Sequence, residues 1–241
     1  MKNIISICLL FSTLFLVSCR EEAEKPKVIY KNPAKTTASA VVDTAQVQIA
    51  DLPIQMPGTN YLIHPIAALN ISERNANVNY ESSSNRNGVS FKISNYSEYE
   101  ITGYLQNLKF QKTGSDSIKP LTDKPVLIQT ATYLKSVFDK SKQQLLVYTL
   151  ADSDTNMDGK LDVNDIKSLY ISEISGNRFT KISVDFQELI DWNLIESKSL
   201  LYFRTIEDTN KNGKFDKNDI IKYHFADLSN KDWKVSDYAP I

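Results

Sequence analysis

Cysteine is almost absent from this chain: its 241 residues include two, Cys8 and Cys19, both near the N-terminus. The rest of the sequence has no thiol, which excludes a disulfide framework and leaves packing or a bound metal to stabilise the fold. Histidine is equally scarce. His64 precedes a proline in an apolar run and His224 sits in an alternating stretch, so neither has the spacing of a zinc ligand or the setting of a catalytic base. A Gly-x-Ser-x-Gly elbow and a phosphate-cradling glycine loop are also missing. No charge of one sign prevails: 28 basic and 29 acidic residues give a formal net charge of -1, so no broad basic surface exists to attract nucleic acid. The one long hydrophobic run, Ile4 to Val17, falls short of the ~20 residues of a spanning helix and is followed by Arg20-Glu21-Glu22. With 41% hydrophobic and 24% charged residues, the composition is that of a globular chain, one domain plus extensions.

What is present begins with that apolar run. Lys2, the hydrophobic stretch and the small residues after it read as an export signal over residues 1–18. Its end, Leu16-Val17-Ser18-Cys19, resembles the lipobox of bacterial lipoproteins. The resemblance implies that the preceding peptide is removed and the Cys19 thiol is diacylated. At ~0.8 kcal/mol per buried methylene, several acyl chains make an effectively permanent anchor. Arg20 after the cysteine resembles lipoproteins sent to the outer membrane, and Glu21-Glu22 is similar to surface-export signals, so the periplasmic or surface face stays open. Residues 19–51 are rich in Glu, Lys, Pro, Thr, Ala and Ser and are expected to form the lipidated Cys and a flexible tether, with Val28-Ile29-Tyr30 or Val41-Val42 as alternative strands of the domain. The Asn- and Ser-rich stretch from Glu73 to Asn87 reads as a long loop.

The domain, residues 52–241, carries an internal repeat. Sliding the chain by 54 positions places Leu146 to Ile166 on Leu200 to Ile220 without a gap. Inside each copy lies a twelve-residue loop of the form D-x-N-x-[DN]-G-K-[LF]-D-x-N-D. Ca²⁺ takes six to eight oxygens, and alternate positions of such a loop supply them around a glycine that permits the sharp turn. In the first loop Asp154, Asn156, Asp158, Asp162 and Asp165 offer side-chain oxygens and Lys160 its backbone carbonyl. In the second the same roles fall to Asp208, Asn210, Asn212, Asp216, Asp219 and Lys214. Two Ca²⁺ sites are therefore expected. The first should be tighter, because Asn212 replaces the carboxylate that Asp158 provides. Leu161 and Phe215 at position eight are expected to point inward.

These loops resemble EF-hand calcium loops, particularly the dockerin variety that closes on Asp. The flanks depart from that family. Leu145 to Leu150 and Leu200 to Thr205 are aliphatic and aromatic, and Ser168 to Gly176 and Ile220 to Leu228 alternate with period two, so strands are expected on both sides and the calcium loops sit at hairpin tips. The wider unit resembles a blade of a TolB-like β-propeller, with Trp192 to Phe203 as two strands and a turn, Leu169 to Ile182 as the closing pair, and a degenerate earlier copy through Ile101 to Leu121. The resemblance implies an all-β fold of units at about 60–121, 122–182 and 183–241. Three units are fewer than the four blades of the smallest common propellers, so the expected fold is a small or incomplete β-propeller-like array, with a β-sandwich as the alternative. A short helix is expected at Gln129 to Phe138.

No catalytic constellation emerges from carboxylates outside the loops such as Asp185, Glu188, Asp191 or Glu207, so enzymatic activity is left undecided with the balance against it. The sequence points to a lipid-anchored cell-envelope protein at the outer membrane, its calcium-stabilised β domain acting as a binding or scaffold module for a protein or glycan. The alternatives are an envelope enzyme acting on polysaccharide or peptide and a dockerin-like docking module, the latter requiring helices beside the loops.

Overall fold

A computed structural model describes residues 25–30, 47–69 and 92–241. The export signal, Cys19 and the loop expected at Glu73 to Asn87 lie outside the described residues. The described chain is all-β and builds three antiparallel sheets, none closed.

The first sheet contains β1 (Val47–Ala50), β2 (Ile54–Gln55), β3 (Tyr61–Leu69), β6 (Asn107–Lys112) and β7 (Ile118–Pro120), with β3 at its centre. The second runs in the order β11 (Thr180–Lys181), β10 (Lys167–Glu173), β9 (Leu145–Ala151), β8 (Leu127–Tyr133), β5 (Glu100–Leu105), β4 (Ser94–Ser97). The third is a meander of β12 (Gln187–Ile195), β13 (Leu200–Glu207), β14 (Ile220–Asp227) and β15 (Val235–Asp237). Because β1 pairs with β3, the folded domain starts before residue 52, inside the stretch that composition assigns to the tether. The degenerate copy divides: β5 pairs with β8 in the second sheet, whereas β6, one residue further on, pairs with β3 in the first. The helix expected at Gln129 to Phe138 is a strand to Tyr133, followed by α1 (Lys135–Ser141). The run Leu127-Ile-Gln-Thr-Ala-Thr-Tyr133 alternates in burial, and its β-branched residues favour the pleat over a helix.

The sheets stack in two layers of core. Ile63, Leu108 and Phe110 of the first sheet pack against Ile128, Leu146, Tyr148 and Leu150 of the second. The opposite face of the second sheet, Val147, Leu169 and Ile171, packs on Leu189, Leu201, Phe203 and Ala226 of the third. The second sheet is thus buried on both sides, which is why Leu145-Leu-Val-Tyr reads as a continuous apolar run rather than an alternation. The repeat has a particular geometry here: Val147 and Leu201 occupy equivalent positions and lie in the same core, so the two hairpins turn the same face toward each other. The equivalent of buried Tyr148 is Tyr202, which stands on the outer face of the third sheet with Phe225 and Tyr238. The register also differs by one residue, since Tyr148 pairs with Tyr170 but Tyr202 pairs with Phe225 rather than His224.

Gly176, in the β10–β11 turn, locks the first core. Its φ is +78° and an added Cβ would lie 2.6 Å from the ring of Phe110, which is itself buried. Gly114 has a similar φ of +81° with open space around it. Gly176→Ala is therefore expected to lower stability by clearly more than Gly114→Ala, which carries only the backbone cost of about 1 kcal/mol, as measured by urea unfolding.

Candidate metal centres

The two repeated loops stand at the tips of the β9–β10 and β13–β14 hairpins, at the same end of the molecule. Strands flank both, and the helices that a dockerin-like module requires are not there. The loops share one hydrogen-bond network. In the first, the Asp154 carboxylate accepts from the N–H groups of Asp158 (3.2 Å) and Gly159 (2.9 Å), and the Asn156 amide oxygen accepts from Asp158 (3.0 Å). Asp158 accepts from the Lys160 N–H, and Asp162 accepts from the Asn164 N–H. Asp165 closes the loop, taking the Thr155 N–H on one oxygen (2.7 Å) and the Asp162 N–H on the other (2.9 Å).

The second loop repeats this at every step. Asp208 accepts from Asn212 and Gly213, Asn210 from Asn212, Asn212 from Lys214, Asp216 from Asn218, and Asp219 from Thr209 and Asp216. The backbone agrees. Met157 and Lys211 at position four have φ of 58° and 55°, and Gly159 and Gly213 at position six have 83° and 82°. An Asp/Asn turn that only joins strands has no need of a closing carboxylate eleven positions on, and here two loops have one.

The structure brings the side chains at positions one, three, five, nine and twelve into one ring of backbone contacts in each loop. Among the described residues, however, no group of three or more His, Cys, Asp or Glu side chains is gathered closely enough to hold a metal. The carboxylate oxygens turn instead to backbone N–H groups. The donor chemistry still fits Ca²⁺, which takes neutral amide and carbonyl oxygens alongside carboxylates. Asp154, Asn156, Asp158, Asp162 and Asp165, with the Lys160 carbonyl, would hold one ion, and Asp208, Asn210, Asn212, Asp216 and Asp219, with the Lys214 carbonyl, the other. Leu161 and Phe215 are half-buried and belong to neither core, in contrast to the inward lock expected of them; Ile166, just after the first loop, is buried.

Asp165 is buried, and burial pushes its carboxyl above the usual range, with repulsion from Asp154 adding to the effect and the N–H groups of Asp162, Thr155 and Asn156 opposing it. A buried carboxylate of this kind is what a bound cation would compensate.

Two features beside the loops go beyond the main sequence reading, the first of them in the Val28-Ile29-Tyr30 stretch that is its alternative part of the domain. Thr155, at position two, takes the Ile166 N–H on its hydroxyl and donates that hydroxyl to the Lys27 carbonyl (2.8 Å), so a segment of the expected tether rests on the loop. Burial, together with a hydrogen bond to Asp208, raises the Tyr30 phenol of that segment to about 12. The signal was the apolar triplet Val28-Ile29-Tyr30 in an otherwise polar stretch. The second is a chain from Thr205 through His224 to Asp237. His224 Nε2 lies 3.0 Å from the Thr205 hydroxyl and Nδ1 lies 2.7 Å from Asp237. It has the order of a nucleophile, base and acid, but Thr205 has no solvent-accessible surface and His224 stacks on Phe203, so no substrate reaches it. His64 bonds Gln111 on the first sheet.

A cleft of about 470 Å³ opens beside the first loop, lined by Thr122, Val126, Asp152, Tyr170, Lys181 and Phe186 among others. Asp152 receives the Tyr170 hydroxyl (2.6 Å) and the Lys181 ammonium (2.8 Å), and Lys181 also pairs with Asp185 (2.6 Å). Burial opposes the Asp152 charge, yet the bonds from Lys181 and Tyr170 outweigh it and hold the carboxyl below its usual range; for Lys181 burial is likewise outweighed by Asp152 and Asp185, and its value is raised. The lowered Asp152 value contributes stability present above the unfolded value near ~3.9 and lost as pH falls through the folded one; the raised Lys181 value contributes stability lost as pH rises beyond ~10.4. Asp152→Asn is expected to lower stability by about 1–2 kcal/mol at pH 7, the difference from the wild type shrinking in acid, as read by urea unfolding across pH.

Comparison of the chain with protein-family models and with curated proteins gives no match.

Proposed function

We propose that this chain is a lipid-anchored cell-envelope protein whose calcium-stabilised β domain serves as a binding or scaffold module. The observation that carries the reading is the hydrogen-bond network of the first loop, reproduced residue by residue in the second at an equivalent hairpin tip. Two like-charged loops at one end of a domain without disulfides repel themselves when empty, and calcium relieves that repulsion. The ion is structural in this reading. It holds the hairpin tips and the rim of the cleft beside Asp152, which is the surface offered to a protein or glycan partner.

Within the all-β class, we read the stack as a sandwich-like array rather than a propeller. Equivalent residues of successive propeller blades face the same way around the axis, whereas Val147 and Leu201 face each other across one core. The anchor reading rests on Leu16-Val17-Ser18-Cys19 alone, and among the described residues no helix is long and apolar enough to cross a membrane. The outer-membrane location is read from Arg20, the residue after that cysteine. The test is a pair of thermal melts of residues 20–241, one in calcium and one in chelator. A higher melting temperature in calcium supports the reading, and identical melts overturn it.

A further inference from the structure

Residues 25–30 form a strap across the loop end of the domain. The N–H groups of Lys27 and Val28 donate to the Gly213 carbonyl of the second loop (2.6 and 3.2 Å), and that of Ile29 donates to the Thr155 carbonyl of the first (2.9 Å). Lys27 is ion-paired with Glu188 at 2.5 Å, and Val28 is 2% exposed. The fit is close enough that a Cβ on Gly213 would stand 2.4 Å from the Val28 carbonyl oxygen. One short segment therefore joins both loops, and it is the described segment nearest to Cys19.

We propose that the strap turns the loop-bearing end of the domain toward the membrane and keeps the two loops facing the lipid headgroups at short range. The proposal rests on reading Cys19 as the lipidated residue. The six steps from Cys19 to Lys25 reach at most about 20 Å, whatever their conformation. Were the strap free, the next described element would be β1, and a flexible chain as long as that from Cys19 to Val47 spans roughly 30 Å with the domain free to turn. The exposed Met157 and Val163 of the first loop and Lys211 and Lys217 of the second then lie on the headgroup side beside the loop carboxylates, so the face is acidic without calcium and meets the lipid only where calcium offsets that charge. The β12–β13 turn at Glu196–Lys198 lies at the opposite end, one eight-residue strand away, or roughly 25 Å. The cleft beside Asp152, lined in part by Thr155 of the first loop, then lies near the membrane-facing end.

The experiment uses the full-length lipidated protein in vesicles containing a headgroup-labelled energy-transfer acceptor, with calcium present. A donor dye is placed through Lys217→Cys or Lys198→Cys, the mature chain having no other free thiol. Transfer several-fold greater from position 217 than from position 198 is expected. Val28→Asp, which buries a charge under the strap, and Lys27→Glu, which sets two carboxylates against each other at Glu188, should each bring the two positions to the same value while the melting profile stays cooperative. Equal transfer from both positions in the wild-type strap, or a difference that survives both strap variants, overturns the orientation and leaves the anchor intact. A protein that fails to float with vesicles, behaving as its Cys19→Ser variant does, overturns the anchor reading and the orientation with it.

Discussion

Asp165→Asn changes the stability of the calcium-free domain by less than about 1 kcal/mol at neutral pH and removes the larger share of the stabilisation that calcium supplies. Both halves of this result follow from the position of the side chain. Asp165 is buried at the closure of the first loop, and burial raises its proton affinity. A carboxyl raised in the fold contributes stability that is complete below its unfolded value and lost as pH rises through the folded one, so at neutral pH without metal its charge is a liability. Asparagine drops the charge and retains an oxygen for the Thr155 N–H, but its NH2 then meets the Asp162 N–H that the second carboxylate oxygen accepts, so gain and loss offset each other. With calcium the balance turns against the variant, because it has lost the closing ligand. One site at a hundredfold excess over Kd is worth about 2.7 kcal/mol, which for a domain of this size is about 5–10 °C in Tm. Melts of both proteins in calcium and in chelator read the two effects separately.

Phe203→Ala destabilises the domain by about 3–5 kcal/mol, the loss of a fully buried ring from the second core. Phe203 is 1% exposed, packs among Leu201, Leu189 and the β9–β10 residues, and carries His224 stacked at 4.8 Å. Its removal leaves a cavity between two sheets that lean on each other at this layer, and it loosens the ring that connects Thr205 to Asp237. Urea unfolding measures the loss. Calcium should restore only part of it, since the loops lie at the hairpin tips and not in the core.

Much of the site was legible because its chemistry is local. Asp, Asn and Gly at fixed offsets specify a loop without help from distant residues, and the repeat at 54 positions showed the pattern twice. The strands beside the loops were equally legible, since alternation in Leu200 to Glu207 and Ile220 to Asp227 has no helical counterpart. What was hidden is long-range. β5 and β6 are adjacent in sequence and both alternate, so nothing local tells that they join different sheets. The strap reads mainly as a tether because its apolar triplet Val28-Ile29-Tyr30 is short and set in a polar, proline-containing stretch; what holds it is two carbonyl groups more than a hundred residues away. The way the two hairpins face each other depends on which side of each strand is covered, and a repeat leaves that open. His224 is placed against Thr205 by pairing of β13 with β14 one residue out of step with the first copy, a shift that sequence alignment of the copies cannot register.

Calorimetric titration of calcium into residues 20–241 tests the central claim most directly, with Asp154→Ala and Asp208→Ala titrated alongside. The account predicts two binding events in the parent chain, the weaker one alone in Asp154→Ala and the tighter one alone in Asp208→Ala. A chain that takes up no calcium, or one whose single event persists unchanged in both variants, would contradict it.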